Sequence, residues 1–512
     1  MRYRQRLIGL RLMLMGFLAI SMVACQSSPR SSADSTATVV PSIQPATTML
    51  ETSARASSTP SPSMVPTLIP ASIPTLNVSK PKPRSITGVE LNPMNESNML
   101  AAKDLGVGWM RRNALLWSAI EPQPGVRDWS QAAGLEGELK AASSQGVQVI
   151  LIVRSTPPWA QKYPGVFCGP VKAEQLEDFA NFMKAAVARY SLPPYNVKYW
   201  ELGNEPDVDY RQVSPDSEFG CWGDQDAQDF GGAYYAQMLK VVYPQIKSVD
   251  PQAHVLIGGL LLECDPDHPP LDAAGKTKDC RSGRFLEGIL KAGGQDYFDG
   301  VSFHSYDYFS KNLGLGAYGS GNWTSAWDTT GPVMNKKTTF LRDLLKRYEV
   351  PGKELLNTEL ALLCPSQNVE DCNSQDFNLT KAYYAAQAYA SAQMEGLTAV
   401  IWYSNPFWRG SGLFDQQSQP LPVYSAIQVS SQAIGKANFV KELSQYTGVK
   451  GYEFQQDRSR IWILWSLDGK QHIVNLPQQP KLIYDALGEE MATSDQVSVG
   501  LKPLYLTWTQ GQ

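Results

Sequence analysis

From residue 85 onward, the chain alternates short apolar runs with longer segments whose apolar residues recur at helical spacing. Runs rich in β-branched, aromatic and aliphatic residues predict buried strands, and apolar residues three and four positions apart predict amphipathic helices. Strands are predicted at Thr87–Leu91, Gly108–Arg112, Gln148–Val153, Tyr199–Gly203, His254–Gly258, Gly300–Phe303, Leu355–Thr358 and Ala399–Trp402. The clearest helices between them are predicted at Leu176–Tyr190, Tyr234–Val249 and Thr339–Tyr348.

The repetition of strand and helix decides between two α/β architectures. Eight such units between residues 85 and 436 predict a (β/α)8 TIM barrel with long loops. An open doubly wound sheet usually has fewer units and carries a glycine fingerprint at its first turn. The GxGxxG match at residues 314–319 neither follows a predicted strand nor opens a helix, so we interpret it as a loop rather than a nucleotide site.

The pattern changes in residues 437–512, where short strand-like runs are separated by turn-forming Asp-Gly and Leu-Gly pairs. Strands are predicted at Gly451–Phe454, Ile461–Ser466, His472–Asn475, Leu482–Asp485 and Leu504–Trp508. We therefore predict a small C-terminal β-sandwich that supports the barrel by packing. A separate sugar-binding module is the alternative, but its exposed aromatic residues cannot be picked out of the pattern.

The N-terminal residues 1–24 have the composition of an export signal. Four arginines and no acid precede an apolar run, Leu12–Ala24, that is short for a membrane-spanning helix. The run ends at Cys25 in a pattern that resembles a bacterial lipobox, and ordinary signal cleavage beside an incidental cysteine is the alternative. Residues 25–84 are rich in Ser, Thr and Pro, which predicts a disordered tether. We expect a lipoprotein anchored through Cys25, at the bacterial cell surface or on a periplasm-facing membrane.

The charge restricts the expected partners, and the cysteines indicate disulfides. The formal net charge is −4, and the chain has no cluster of Lys and Arg with interleaved aromatic residues, so nucleic acid is not an expected partner. Six cysteines remain besides Cys25, and an even number in an exported chain predicts disulfides. Six cysteines allow 15 possible sets of pairs. We favour Cys168–Cys221, Cys264–Cys280 and Cys364–Cys372, because each pair then joins the same or neighbouring loops. A zinc site is the competing interpretation, but no CxxC or HExxH spacing is present.

In a (β/α)8 barrel, every strand ends at one shared mouth, so the residues at the strand ends are expected to meet there. These ends supply acids, an amide, cations and aromatic rings. The candidates are Arg111 and Arg112 after the second strand, Trp159 after the third, Asn204 and Glu205 after the fourth, His304 and Tyr306 after the sixth, Glu359 after the seventh and Trp402 after the eighth. Of the two arginines, we favour Arg111 because of its offset from Trp109.

Two carboxyl groups that share a cleft, Glu205 and Glu359, are what glycoside hydrolysis requires. One must be protonated to release the glycosidic oxygen, and the other must be ionised to attack or stabilise the reacting carbon. We expect Arg111 and Tyr306 to favour the ionised form of Glu359. Aromatic neighbours and the second negative charge should favour the protonated form of Glu205. Trp402 is predicted to form a stacking floor for the sugar.

The same residues resemble a known family. The stretch WELGNEPD at Trp200–Asp207 resembles the acid/base motif of the clan A glycoside hydrolases, and His304-Ser305-Tyr306, Glu359 and Trp402 match that clan in order and approximate spacing. Trp109–Trp117 with the following EPQPG is similar to the second unit of family 39-like and family 5-like members. Together with the terminal β-sandwich, the likeness is greatest to family 39-type enzymes, with family 5-like enzymes as second choice.

The resemblance implies a retaining glycosidase that acts on a polysaccharide or oligosaccharide without a metal or other cofactor. It implies that Glu359 is the nucleophile and Glu205 the general acid and then base. It also implies that Asn204 binds the sugar 2-hydroxyl and that Tyr306 bonds to the nucleophile. We expect a monomer. The alternatives are a non-catalytic carbohydrate-binding lipoprotein and a transglycosylase that uses the same residues.

Several assignments stay open at this stage. His304 either contacts substrate or is a core histidine bonded to a backbone carbonyl. The further tryptophans near the predicted mouth either line sugar subsites or pack in the wall, and these are Trp117, Trp159, Trp222 and Trp408. Glu354 opens the seventh strand and is expected at the opposite, stabilising face of the barrel.

Overall fold

The computed structural model describes residues 85–323, 332–366 and 372–509. The predicted export signal, Cys25 and the tether up to residue 84 lie outside the described residues. Within those ranges, no helix is both long enough and apolar enough to cross a bilayer.

Eight parallel strands form a closed barrel, which confirms the predicted fold class. They are β1 (Thr87–Glu90), β2 (Trp109–Leu116), β3 (Gln148–Arg154), β4 (Tyr199–Asn204), β5 (His254–Leu260), β6 (Gly300–Phe309), β7 (Glu354–Leu363) and β8 (Ala399–Tyr403). Each strand pairs with its neighbours in chain order, β8 pairs with β1, and the β5–β6 pairing completes the ring. A two-residue strand, Tyr318–Gly319, adds to the end of β6 in antiparallel orientation, so the GxGxxG stretch lies in a loop and a short edge strand.

Helices surround the barrel or cap its loops. They are α1 (Glu96–Leu105), α2 (Trp117–Ile120), α3 (Ala133–Ser144), α4 (Leu176–Tyr190), α5 (Gly232–Val249), α6 (Phe285–Lys291), α7 (Met334–Arg347), α8 (Gln375–Met394) and α9 (Pro422–Ile434). The bounds of α4 are those predicted, because its large apolar residues are all buried and recur at helical spacing. Helix α7 begins five residues before the predicted start at Thr339.

Strands β6 and β7 are longer than predicted. They continue to pair above the barrel rim, from His304↔Glu359 to Tyr308↔Leu363. The predicted ends at Phe303 and Thr358 coincide with a register irregularity in this pairing rather than with the ends of the strands. The candidate site residues of both strands, His304, Tyr306 and Glu359, therefore lie within strands and not in loops.

The C-terminal strands are β9 (Asn438–Glu442), β10 (Val449–Gln456), β11 (Ser459–Ser466), β12 (His472–Asn475), β13 (Leu482–Asp485), β14 (Glu490–Met491), β15 (Gln496–Val499) and β16 (Leu504–Thr509). All are antiparallel, and they form one six-stranded sheet and a two-stranded sheet, β12 with β15. One face of the larger sheet packs on α8 and α9, where Ala386 and Ala390 contact the cluster that contains Trp465. Its other face forms a separate core with the two-stranded sheet. The predicted domain boundary at residue 437 stays a prediction.

Three disulfides join Cys168 to Cys221, Cys264 to Cys280 and Cys364 to Cys372. These are the pairs that the sequence analysis favours. The first connects the loop after β3 with the loop after β4. The second closes the loop after β5, and the third closes the loop after β7. All three therefore brace loops at the carboxyl ends of the strands, where a barrel forms its site.

Candidate active site

The interior of the barrel changes from apolar to polar along the strands. At the amino-terminal end it is filled by a layer of side chains that are nearly all apolar: Trp109, Ile150, Tyr199, Leu256, Leu356, Ala399 and Ile401. Side chains two positions apart on a strand point to the same face. Arg111 therefore follows Trp109 into the interior, and Glu201 follows Tyr199. The interior of the barrel thus presents charged groups just below its mouth.

Arg111 lies at the centre of these charges and is completely buried. Its guanidinium contacts Glu359 and donates to Glu201 Oε1 at 2.5 Å and to Asn204 Oδ1 at 2.7 Å. Glu90 Oε2 lies 3.4 Å from Nη1. The neighbouring Arg112 points to the other face of the strand and is held by both oxygens of Glu138. The structure therefore brings Arg111 to the carboxylates, as favoured above, although its burial places it beneath them rather than against a substrate.

Glu205 lies directly after β4, with a left-handed backbone conformation (φ 49°). Its amide donates to Gly259 O at 2.9 Å, and the carboxylate of Asp207 accepts from the amides of Leu261 and Leu262, each at 2.9 Å. These bonds fasten the turn to the end of β5. The turn directs the Glu205 side chain into the mouth, where it is 8% exposed.

Glu359 lies within β7 and faces Glu205 across the mouth. Arg111 donates to its Oε1, and the Tyr306 hydroxyl donates to its Oε2. His304 Nδ1 lies 2.9 Å from Glu205 Oε1 and 3.4 Å from Glu359 Oε2. An oxygen of each carboxylate and a ring nitrogen of His304 all lie within 4.8 Å of one another. The two predicted acids are therefore close neighbours.

The electrostatic surroundings of the two acids differ. Burial raises the pKa of Glu205 well above its usual range, and the negative charges of Glu359 and Asp207 raise it further. Burial also raises the pKa of Glu359, but the Arg111 charge and the Tyr306 hydrogen bond oppose that shift. These surroundings favour a proton on Glu205 and a negative charge on Glu359.

His304 is fully buried, which corrects its predicted role in substrate binding. It supports the carboxylates instead. Burial, together with the charges of Arg111 and Lys337, lowers its pKa well below the usual range, so the ring is neutral at neutral pH. Lys337, a buried lysine that sequence reasoning missed, donates to His304 O at 2.8 Å and to Leu261 O at 2.7 Å. It ties the middle of β6 to the residue that follows β5.

A cleft of about 700 Å³ opens above the acids. It is lined by residues of β1, β2, β4, β6, β7 and β8 and of the loops after β1, β4, β5 and β8: Glu90, Asn92, Arg112, Asn113, Asn204, Glu205, Glu218, Phe219, Leu261, Tyr306, Tyr308, Glu359 and 403–408. This volume falls in the range of small-molecule sites. Asn204 and Tyr306 are thus at the cleft, as predicted.

The predicted aromatic contacts need correction. Trp402 is completely buried, its Nε1 donates to Ser411 O at 2.9 Å, and its ring packs near Tyr384, so it has no exposed face for a sugar. Trp159 lies outside the cleft, where its ring meets Trp117 edge to face and its Nε1 donates to a backbone carbonyl. Trp117 is also buried in the wall.

Trp222 is likewise buried in the wall, whereas Trp408 lines the cleft and packs edge to face against Tyr306 and Tyr403. Two cleft-lining positions are absent from the predicted set: Glu90 and Tyr403, which pair in register on adjacent strands. Glu90 lies at the carboxyl end of β1, so including the first strand among the strand ends would have indicated it.

Glu205, His304 and Glu359 have the residue types and spacing that a metal ion could bridge. Their atoms already bond to one another, to Arg111 and to Tyr306. The guanidinium supplies the positive charge that a cation would bring, so we assign no metal to this cluster.

No family model matches the chain, and no curated protein matches it. Several solved structures do match the chain. A family 39 glycoside hydrolase from the gut symbiont Bacteroides cellulosilyticus is 20% identical, with a TM-score of 0.60 over 83% of this chain and 81% of that one. A family 30 endoxylanase from Clostridium papyrosolvens is 12% identical, with a TM-score of 0.53 over 84% and 97%. BuGH86 in complex with neoagarooctaose is 13% identical, with a TM-score of 0.56 over 84% and 75%.

At these identities the similarity is one of fold. It spans nearly the whole described part of the chain, and it agrees with the resemblance that the motif around Glu205 indicates. The chain thus has the (β/α)8 fold of solved clan A glycoside hydrolases, among them a family 39 enzyme.

Proposed function

We propose that this protein is a retaining glycoside hydrolase, with Glu359 as nucleophile and Glu205 as general acid and base. One observation carries the proposal: an oxygen of each carboxyl group lies within 4.8 Å of the other in one cleft. Retaining enzymes hold their two carboxyl groups about 5–5.5 Å apart, whereas inverting enzymes leave about 6.5–9.5 Å for a water molecule. The unequal partners of the two acids support the division of roles.

In the first step of the proposed mechanism, a Glu359 oxygen attacks the anomeric carbon as the bond to the leaving oxygen breaks. Glu205 donates its proton to that oxygen, and a glycosyl ester on Glu359 remains. In the second step, Glu205 takes a proton from water, which attacks the anomeric carbon and releases Glu359. Arg111 and Tyr306 hold the Glu359 carboxylate in position for attack, and Asn204 is placed to bind a sugar hydroxyl beside the reacting carbon.

The similar structures support a carbohydrate substrate. They include an endoxylanase and a protein crystallised with a long oligosaccharide. A cleft of about 700 Å³ is compatible with an oligosaccharide. Transglycosylation would use the same residues, and product analysis with an added sugar acceptor separates it from hydrolysis.

The decisive test is substitution of each acid on a panel of aryl glycosides and polysaccharides. Glu205→Gln and Glu359→Gln should each lower kcat by at least about 100-fold, because each removes a group that acts in the transition state. Glu354→Gln is the matched control, since this glutamate lies at the start of β7 and pairs with His254 at the opposite end of the barrel. Wild-type activity in either cleft variant would refute the assignment.

We also propose that the enzyme is exported and held at a membrane by a lipid on Cys25. The three disulfides support an oxidising compartment. A Cys25→Ser variant should move from the membrane fraction to the soluble fraction and should lose incorporation of labelled palmitate. Equal membrane association of both forms would refute the anchor.

A further inference from the structure

The floor of the cleft has more acids than cations. Glu90, Glu201 and Glu359 all contact the guanidinium of Arg111, and Glu205 lies beside Glu359. Among the lysines and arginines of the described residues, Arg111 alone contacts any of these four carboxyl groups. Even with some of the acids protonated, the floor carries no positive charge that is free to bind an anion.

The walls of the cleft do not supply a free positive charge either. Of the described lysines and arginines, Arg112 is the one that lines the cleft, and both oxygens of Glu138 hold its guanidinium at 2.7 and 2.9 Å. Lys337 lies behind the floor, where its ammonium donates to two backbone carbonyls. Among the groups that line the cleft, an anionic sugar would therefore meet acids and no unpaired cation. Arg409, the residue after Trp408, is not among them, and its guanidinium lies over the Tyr308 ring and donates to Pro365 O at 3.2 Å.

Glu90 has a different role from the other acids of the cluster. It follows Gly88 on the interior face of β1, and it lines the cleft beside Tyr403, its register partner on β8. Its Oε1 accepts from the side-chain amide of Asn92 at 2.8 Å, and Asn92 also lines the cleft and is exposed. Burial raises the pKa of Glu90 to about 8, although Arg111 opposes the shift. At neutral pH its carboxyl group is therefore mostly protonated.

A protonated carboxyl group can both donate and accept a hydrogen bond, and so can a sugar hydroxyl. A primary amide beside it adds further donors and an acceptor. The Glu90–Asn92 pair thus offers neutral hydrogen-bonding groups at the edge of a site whose charges are already used. This combination suits a ligand with many hydroxyls and no charge.

We propose that the sugar bound at the reacting position is a neutral sugar, and that Glu90 and Asn92 bind its hydroxyls from the β1 side of the cleft. The inference rests on the proposed function, since it assigns the sugar class of the same site. A uronic acid would bring a further carboxylate next to the acids around Arg111. Like charges placed together without a counter-ion are strongly disfavoured.

The sugar class is tested with matched aryl glycosides of both anomers. Xyloside, glucoside and glucuronide differ only at carbon 5, which carries hydrogen, a hydroxymethyl group or a carboxylate. Polysaccharides with neutral or uronic backbones complete the panel. We expect turnover of neutral substrates, with kcat/KM for the matched uronic substrate at least about 100-fold lower. A smaller difference, or a preference for the uronic substrate, overturns the inference but leaves the glycosidase proposal intact. Turnover of no substrate counts against both.

The role of Glu90 is tested with deoxy analogues of the best substrate. Glu90→Ala should lower kcat/KM about 10- to 100-fold, and Glu90→Gln should retain most activity because it can still donate and accept. The loss caused by Glu90→Ala should disappear for the one analogue that lacks the bound hydroxyl. An equal loss on every analogue would mean that Glu90 only supports Arg111, which overturns its role in binding.

Two further variants keep this test interpretable. Glu354→Ala, at the opposite end of the barrel, should leave kcat/KM unchanged on all analogues. Asn92→Ala removes an exposed side chain, so folding should tolerate it even if Glu90→Ala does not fold. It should show the same dependence on a single hydroxyl, and a uniform effect on all analogues would again contradict the binding role.

Discussion

At the scale of single residues, the site shows how one side-chain type takes different roles from its neighbours. Glu205 is buried with acids and a neutral histidine, whereas Glu359 receives hydrogen bonds from a guanidinium and a phenol. Burial raises the pKa of both, but only Glu359 has close partners that strongly favour its charged form. The proposed difference in function therefore follows from contacts beyond the two acids themselves.

These shifts predict the pH dependence of activity. The proposed mechanism requires ionised Glu359 and protonated Glu205, so activity should fall at low pH as Glu359 gains a proton and at high pH as Glu205 loses one. Since both pKa values are raised, both limbs of the kcat/KM profile should lie at higher pH than for exposed glutamates. With a dinitrophenyl glycoside, which needs no acid assistance, Glu205→Gln should lose the alkaline limb and keep the acidic one. An unchanged alkaline limb would assign it to another group.

Tyr306 is predicted to set the acidic limb. Its hydroxyl bonds to Glu359 and stabilises the carboxylate, so Tyr306→Phe should raise the pKa of Glu359 and move the acidic limb to higher pH. We expect kcat to fall about 10- to 100-fold as well. Tyr308→Phe is the matched control, because Tyr308 lies two residues further along β6 and lines the cleft. It should leave the position of the limb unchanged, and an equal shift in both variants would contradict the role of Tyr306.

At the scale of secondary structure, the barrel was predictable because its strands are buried apolar runs and its helices are amphipathic. Helix α8 was not identified by such a pattern, since it is buried on nearly all sides between the barrel and the C-terminal sheet. Strand β9 was missed because all of its residues are exposed. A periodic pattern identifies elements with one buried face, and these two elements have two buried faces or none.

The candidate site was predictable where strand ends determine it. Glu205, Glu359, Asn204 and Tyr306 meet because parallel strands of a barrel open at one mouth. Trp402 lies on the outer face of β8, because Ile401 and Tyr403 face the interior, and its ring packs there near Tyr384 while the loop after β8 returns to place Ser411 O at its indole nitrogen. The alternation that places Arg111 in the interior also assigns Trp402 to the helix layer, whereas no local pattern specifies the path of the loop that covers it.

Lys381 is predicted to hold this loop in place. It is buried in α8, and its ammonium donates to Gly410 O at 2.7 Å and to Gly412 O at 3.0 Å. Lys381→Met would leave both carbonyls unsatisfied, so the free energy of unfolding should fall by roughly 1–3 kcal/mol. Because residues 403–408 line the cleft, KM should rise more than kcat falls. Denaturant titration and steady-state kinetics measure both. Lys346→Met, on the exposed face of α7, should change neither, and an equal effect would contradict a local role for Lys381.

At the scale of the whole described chain, the barrel and the C-terminal sheet share a core. Alanines of α8 pack against the sheet, and Ser430 of α9 bonds to the Tyr505 hydroxyl at 2.8 Å. Small residues on the helix let the sheet approach closely. This arrangement favours the packing role predicted for the C-terminal strands over that of a separate binding module.

The shared core predicts that the barrel and sheet unfold together. Trp465 is completely buried in the cluster between them and packs edge to face with Tyr452 at 5.6 Å. Trp465→Ala should lower the free energy of unfolding by about 3–5 kcal/mol, because it removes a large side chain from a closed core. Calorimetry should show one transition at a lower temperature, and loss of glycosidase activity should follow it. Ile473→Ala, on the exposed face of the two-stranded sheet, should leave the transition within a degree or two, since it is 62% exposed. A new low-temperature transition in Trp465→Ala that leaves activity intact would instead show that the sheet is an independent module.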